Sequence, residues 1–177
     1  LQHQISVVFI CLLLLSIFTI TLINGLFLEK YYVSKKVEVL EEAKEVLSQM
    51  NLDDILQYDT DIEEDKKGAT DEISDEIERS SSRNNLTWII VNEENSGYYY
   101  WGENNMAKML RSKLFGYINN LDQDMQHSRV LKKTDTCTMW QVHDRFAGME
   151  YVECWGQFDN GYYFLIRSPL ESIKESA

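Results

Sequence analysis

From Ile5 to Leu28 the chain runs for 24 residues without a charged side chain. About 20 apolar residues cross a bilayer as one helix. The run is too long for the core of a signal peptide, and Asn24-Gly25-Leu26-Phe27 offers no small-x-small cleavage site. The expectation is an uncleaved transmembrane helix over residues 1–28. Everything after it is polar and acidic, so the chain reads as an anchor carrying a domain on one side of a membrane. The absence of a start methionine at Leu1 reads as a fragment.

Roughly 150 of the 177 residues follow the anchor, enough for one domain with a real core. Hydrophobic residues make up 44% and aromatics 12%, which is not the composition of a disordered tail. The formal charge of −12 excludes nucleic acid as a partner, because phosphate binding needs a basic face. It also excludes adhesion to anionic lipid by simple charge. Lys30, Lys35 and Lys36 follow the apolar run, while Gln2, His3 and Gln4 precede it. By the positive-inside rule alone the domain would be cytoplasmic, although residues missing before Leu1 enter the same count.

Beyond Leu28, Val33, Val37, Leu40, Leu47 and Met50 form one apolar stripe at helical spacing. No Gly or Pro interrupts residues 26–49, so anchor and stripe read as one rod, about 65–70 Å long at 1.5 Å per residue. The stripe is expected to pack on the domain's own sheet and to add a dimer seam. Asp53 to Arg83 holds twelve acids and four bases, with broken helical pieces around Ile62, Ile73 and Ile77. Thr70 or Asp71 is placed to cap the later piece, and Ser80–Asn85 reads as a loop.

Leu86–Asn92 is β-branched and aromatic, the strongest strand signal in the chain. A turn at Glu93–Gly97 leads to a short strand, Tyr98–Trp101. Asn104 or Asn105 then caps a helix with Met106, Leu110, Leu114, Tyr117, Ile118 and Leu121 on one face. Ser128–Asp135 reads as a third strand. Thr136–His143 and Met149–Phe158 form a hairpin turning at Asp144–Gly148, in a register that sets Val142 opposite Met149 and Cys137 opposite Cys154. That pair is either a cross-strand disulfide, which would need an oxidising compartment, or two buried thiols. Asn160-Gly161 signals a two-residue turn into Tyr162–Arg167. The fold class is α+β, a long helix packed on a central antiparallel sheet. Finally, Ser168-Pro169-Leu170-Glu171 has the form of a capping box with proline at the first helical position, so a helix is expected to leave the domain there.

This outline resembles the sensor half of bacterial transmembrane histidine kinases. There an apolar helix extends into an extracytoplasmic PAS-like (Cache-type) domain, which returns to the membrane through a second helix. The junction Tyr162-Tyr163-Phe164-Leu165-Ile166-Arg167-Ser168-Pro169-Leu170-Glu171 is similar to the exit sequence of Gram-positive sensor kinases. The resemblance implies a PAS-like sheet over residues 29–167, a path toward a second span from residue 168, an extracytoplasmic position and a homodimer. Many amino-acid-sensing Cache domains carry Arg-x-Trp-Tyr at the ligand pocket. Here Ser112-Lys113 follow Arg111, so an amino-acid ligand is not supported. A chemoreceptor ectodomain would share the fold. A pilin-like tethered subunit would share only the helix-to-head outline, and Ile5 stands where pilins usually keep a glutamate.

None of the three histidines, His3, His127 and His143, sits in a nucleophile or zinc motif, so the fragment is expected to be non-catalytic. Asp59, Asp61, Glu63 and Asp65 alternate like the start of a calcium loop, but Glu64 stands where glycine is needed and Thr70 where glutamate is needed. A divalent cation bridging this acidic stretch to anionic lipid is the remaining metal reading. No other cofactor is expected. A small-molecule or ionic stimulus would bind between the sheet and its covering elements. The candidate lining is Trp101, Arg111, Trp140, His143, Asp144, Arg145 and Trp155, set against the plainer reading of the aromatics as core. Asn85-Leu86-Thr87 fits a glycosylation sequon by chance.

Overall fold

The computed structural model describes residues 2–50, 57–58, 72–92, 97–102, 106–121 and 128–170. Helix α1 runs Gln2–Ser48 without a break, and it contains one segment long and apolar enough to cross a membrane. The chain divides into two compact units, residues 1–35 and 36–177. In the first, Phe9, Leu14, Leu15 and Phe18 are all exposed.

The second unit is α+β. Its elements are β1 (Gln57–Tyr58), α2 (Glu72–Asn84), β2 (Thr87–Val91), β3 (Gly97–Trp101), α3 (Ala107–Ile118), β4 (Arg129–Lys133), β5 (Cys137–Asp144), β6 (Met149–Gln157) and β7 (Tyr163–Pro169). The strands form one antiparallel sheet in the order β1-β3-β2-β7-β6-β5-β4, β1 contributing only a two-residue edge. Alternation along each strand sends side chains to two faces. Trp88, Ile90, Cys137, Met139, Cys154, Phe164 and Ile166 face one way and pack with Leu40, Ala43 and Leu47 of α1 and Ile77 of α2. Ile89, Val91, Trp140, Val142, Tyr151 and Leu165 face the other way and pack with Leu110, Leu114 and Tyr117 of α3.

Several boundaries differ from the sequence reading, each for a physical reason. Residues Ser80–Asn84 are the last turn of α2, not a loop. Buried Ser81 and the Asn84 Nδ2 to Ser80 O bond hold that turn. Asn85, at φ 54°, then ends the helix, and Leu86 N reaches back to Ser81 O. The α3 stripe is shorter than expected: Asn120 at φ 55° stops the helix, leaving Leu121 exposed. Met106 is the N-cap of α3 and makes no side-chain cap bond. Asn104, Asn105, Thr70 and Asp71 lie outside the described residues.

The β5–β6 register is shifted by two from the expected one. Asp144 is strand, pairing with Met149, so Cys137 faces Gly156 and Cys154 faces Met139. The turn is shorter because the Asp144 carboxylate itself organises it: Oδ1 accepts from Phe146 N and Ala147 N, and Gly148 takes φ 68°. Cys137 and Cys154 are therefore diagonal neighbours on one face, and both thiols are free. At the next hairpin Phe158 N donates to Tyr162 O, leaving a three-residue loop with Gly161 at φ 90°.

The expected capping box is also corrected. Ser168 and Pro169 are the end of β7, opposite Val152 and Tyr151. The Ser168 hydroxyl bonds Asn84 O rather than a helix N-terminus. Proline fits there because β2 ends at Thr87, opposite Arg167. Leu170 N bonds Glu150 O on the β6 side, so by alternation the Pro169 nitrogen faces the side where β2 has already stopped. Residues 171–177, where the departing helix was expected, lie outside the described residues.

Candidate functional site: a buried ionic cluster under α3

Four charged side chains are buried together between α3 and the sheet. Lys113 comes from α3, Asp144 from the end of β5, Glu153 from the middle of β6 and Arg167 from β7. Each lies in the inward phase of its element. Lys113 follows Leu110 by three and precedes Tyr117 by four, so the helix carries it on its buried face. Glu153 alternates with Tyr151 and Trp155, and Arg167 with Leu165.

The geometry is a closed network. Lys113 Nζ is 3.2 Å from Asp144 Oδ2 and 3.1 Å from Glu153 Oε1. Arg167 Nη1 is 2.8 Å from the same Asp144 Oδ2 and 4.0 Å from Glu153 Oε1. Tyr117 donates its hydroxyl to Glu153 Oε2 at 2.6 Å. The Arg167 guanidinium also lies 4.2 Å above the Tyr151 ring centroid. Two cations against two carboxylates leave the cluster neutral, the condition under which buried charge is tolerable. Tyr117, Trp140 and Trp155 form an aromatic group alongside, with centroids 4.7 to 5.7 Å apart.

Burial alone would raise the Asp144 carboxyl, but the Ala147 N–H and the Lys113 and Arg167 cations outweigh it and hold Asp144 below its ordinary value. Burial likewise pulls Lys113 down, yet Glu153 and Asp144 push its ammonium above its ordinary value. The linkage follows in sign. Asp144 contributes stability that is present above its unfolded value of 3.8 and lost as pH falls through its lower folded value. Lys113 contributes stability that is present below 10.5 and lost as pH rises through its higher folded value. The expected profile of denaturation midpoint against pH is a plateau with a fall at each end. In an Asp144→Asn variant the acid-side fall should become shallower; an unchanged acid limb would remove Asp144 from this role.

The expected site residues fall into two places. Trp140, Asp144 and Trp155 lie on the α3 face at the cluster, and Arg111 of α3 stacks 5.6 Å from the Tyr98 ring centroid. Trp101 and His143 lie instead at the strand ends, lining a cavity of about 940 Å³ with Ser81, Gly102, Tyr151 and Arg167. His143 is exposed there, 3.2 Å from Glu150. Arg145 is exposed in the β5–β6 turn. The two regions touch through Arg167 and Tyr151. Lys113, Tyr117, Glu153 and Arg167 escaped the sequence reading. The available signal was a charge at an inward position of an otherwise apolar stripe or strand.

Three donors of this region, Trp140 Nε1, Trp155 Nε1 and Arg167 Nε, are buried and meet no hydrogen-bond acceptor among the described residues. Glu153 Oε1, ion-paired with Lys113, and Gln141 Oε1 are likewise buried without a hydrogen-bond donor among the described residues, so the region carries unspent polar groups of both kinds, each with a desolvation cost. Among the described residues no group of three or more His, Cys, Asp or Glu is positioned to hold a metal. Asp59, Asp61, Glu63 and Asp65 lie outside the described residues. No protein-family model, curated protein or solved structure matches the chain.

Proposed function

We propose that this chain is the membrane-anchored, extracytoplasmic sensor region of a two-component histidine kinase. The observation that carries the reading is the meeting of the entering helix and the departing strand. Lys36 Nζ of α1 donates to Ser168 Oγ of β7 at 2.8 Å, and both engage Asn84 O at the end of α2. A shift of β7 relative to the sheet would be felt by α1 through this node, and packed helices switch by displacements of about 1–2 Å. The strand order supports a PAS-like sheet. Setting aside the edge strands β1 and β4, the five central strands lie in the order second, first, fifth, fourth, third. The apolar segment of α1 supports the bilayer as a partner, with the sensor working as a homodimer.

The stimulus reaches the α3 face, where the ionic cluster holds helix to sheet. A small molecule or ion with acceptor groups would satisfy the unspent donors and pull the cluster toward one of two packings. It acts only by its differential affinity for them. Reading the coding frame past Ala177 tests the assignment. A second apolar span, a histidine-bearing helical pair and an ATP-binding domain are expected. A long coiled coil without an ATP site would make the parent a chemoreceptor, and a stop codon within a few residues would favour a tethered structural subunit.

The node gives a second test. Lys36→Met removes two partly buried hydrogen bonds, to Ser168 Oγ and to Asn84 O, each worth about 0.5–1.5 kcal/mol. The expected result is a small loss of thermal stability with a changed basal output of the parent protein. Unchanged output would remove the node from signal transmission.

A further inference from the structure

We propose that Cys137 and Cys154 form an oxidisable dithiol, a covalent modification site in which Cys137 is the attacking sulfur and Cys154 resolves it. The two lie on the α1 face of neighbouring strands, one pair out of register, in the core cluster that packs on α1. Gly156 stands opposite Cys137, and a Cβ there would come within 2.0 Å of Thr136 O. The missing side chain lets β6 run close under Cys137, so its sulfur can lean across to Cys154. Around Cys137 Sγ are Thr134 Oγ1 at 3.3 Å and the Lys44 ammonium at 3.9 Å.

These surroundings favour a thiolate at one sulfur only. The neighbouring Cys154 thiol, then the Thr134 hydroxyl and the Lys44 charge, lower Cys137 to about 5 against its burial. The same contact raises Cys154, which is fully buried, so its proton stays on. The other charged groups facing the pair are Glu41 of α1 and Lys132 of β4, and these two bond each other. A groove of about 440 Å³ is lined in part by Glu41, Lys44, Ser48 and by Thr136, the residue preceding Cys137.

The oxidant class is a hydroperoxide. The Cys137 thiolate attacks the outer peroxide oxygen, the O–O bond breaks, and the leaving alkoxide or hydroxide takes a proton, giving a sulfenic acid. The Cys154 sulfur then attacks the Cys137 sulfur. The S–S bond forms, the S–O bond breaks, and hydroxide leaves with the Cys154 proton as water. Two thiols are oxidised by two electrons, and the peroxide is reduced to an alcohol, or water, plus water. Diagonal strand neighbours typically lie about 7–8 Å apart, whereas bridged cysteines usually have Cα atoms about 4.4–6.8 Å apart. Closing the bond therefore draws β5 and β6 together beneath Lys44, at the surface where α1 packs.

The test uses the full chain in detergent with Cys11→Ser, which leaves only this pair. Hydrogen peroxide is added, and unreduced peptides are mapped by mass spectrometry. The expected product is an intramolecular Cys137–Cys154 link, and a Cys154→Ser variant should stop at a dimedone-trappable sulfenic acid on Cys137. The rate should be level above about pH 6 and fall tenfold per unit well below about pH 5. Lys44→Gln should move that inflection upward. If both thiols remain alkylatable after peroxide, or if the rate climbs only toward the ordinary thiol range of about 8.5, the proposal fails.

Discussion

Arg167→Met is expected to destabilise the folded domain by about 3–5 kcal/mol, the range for breaking a buried ion pair by removing one partner. Arg167 is buried, and its Nη1 is the closest cation to Asp144 Oδ2, at 2.8 Å. Methionine replaces its bulk above Tyr151 but leaves Asp144 and Glu153 to share Lys113, a buried net negative charge. The carboxylate proton affinity must rise in response, so the variant should regain part of its stability as pH is lowered toward the Asp144 range. Adding Asp144→Asn removes the surplus charge, and the double variant should be more stable than the sum of the two single losses. Equilibrium denaturation of the full chain in detergent measures all three. A single-variant loss below about 1 kcal/mol would mean that the cluster is not desolvated as the structure has it.

Trp88→Ala is expected to cost a comparable amount, about 3–5 kcal/mol, for a fully buried aromatic in a packed core. Trp88 joins three parts of the domain. Its ring meets Tyr99 of β3 edge-on at 5.0 Å, its face packs among the residues of α1 and β7, and its Nε1 donates to Ser81 Oγ of α2 at 2.9 Å. Trp88→Phe separates these contributions. Most of the packing is kept, but the buried Ser81 hydroxyl loses its donor, a penalty of about 1–3 kcal/mol. The Ala variant should therefore lose clearly more than the Phe variant in the same denaturation experiment. Equal losses would show that the ring's packing contributes little and that the hydrogen bond dominates.

The candidate site was half legible. Trp140 and Trp155 were named as sheet aromatics and Asp144 for its place at the hairpin turn, and the three lie at the cluster. Trp101, another strand aromatic, and His143, beside the same turn, lie on the opposite side of the sheet. Side-chain alternation separates them: a shift of one position along a strand exchanges faces, and no local property of Trp101 or His143 reports which phase is inward. Lys113 and Arg167 stayed hidden because a charge in an apolar stripe becomes informative only when its counter-charge is known, and Glu153 and Asp144 arrive from other strands.

By itself the sequence determined what local physical chemistry can determine. Ile5–Leu28 is long and apolar enough to cross a membrane, the stripe from Leu40 to Met50 requires a partner surface, and the β-branched run at Leu86–Asn92 requires a strand. Tertiary structure decided everything that depends on which distant segments meet. The β5–β6 register followed from the Asp144 carboxylate closing its own turn, not from the pairing of cysteines. Pro169 stayed in a strand because its neighbour β2 had ended, a fact recorded about 80 residues earlier in the chain. The neutral cluster under α3 exists because four charges, none able to remain buried alone, are each balanced by a residue from another element.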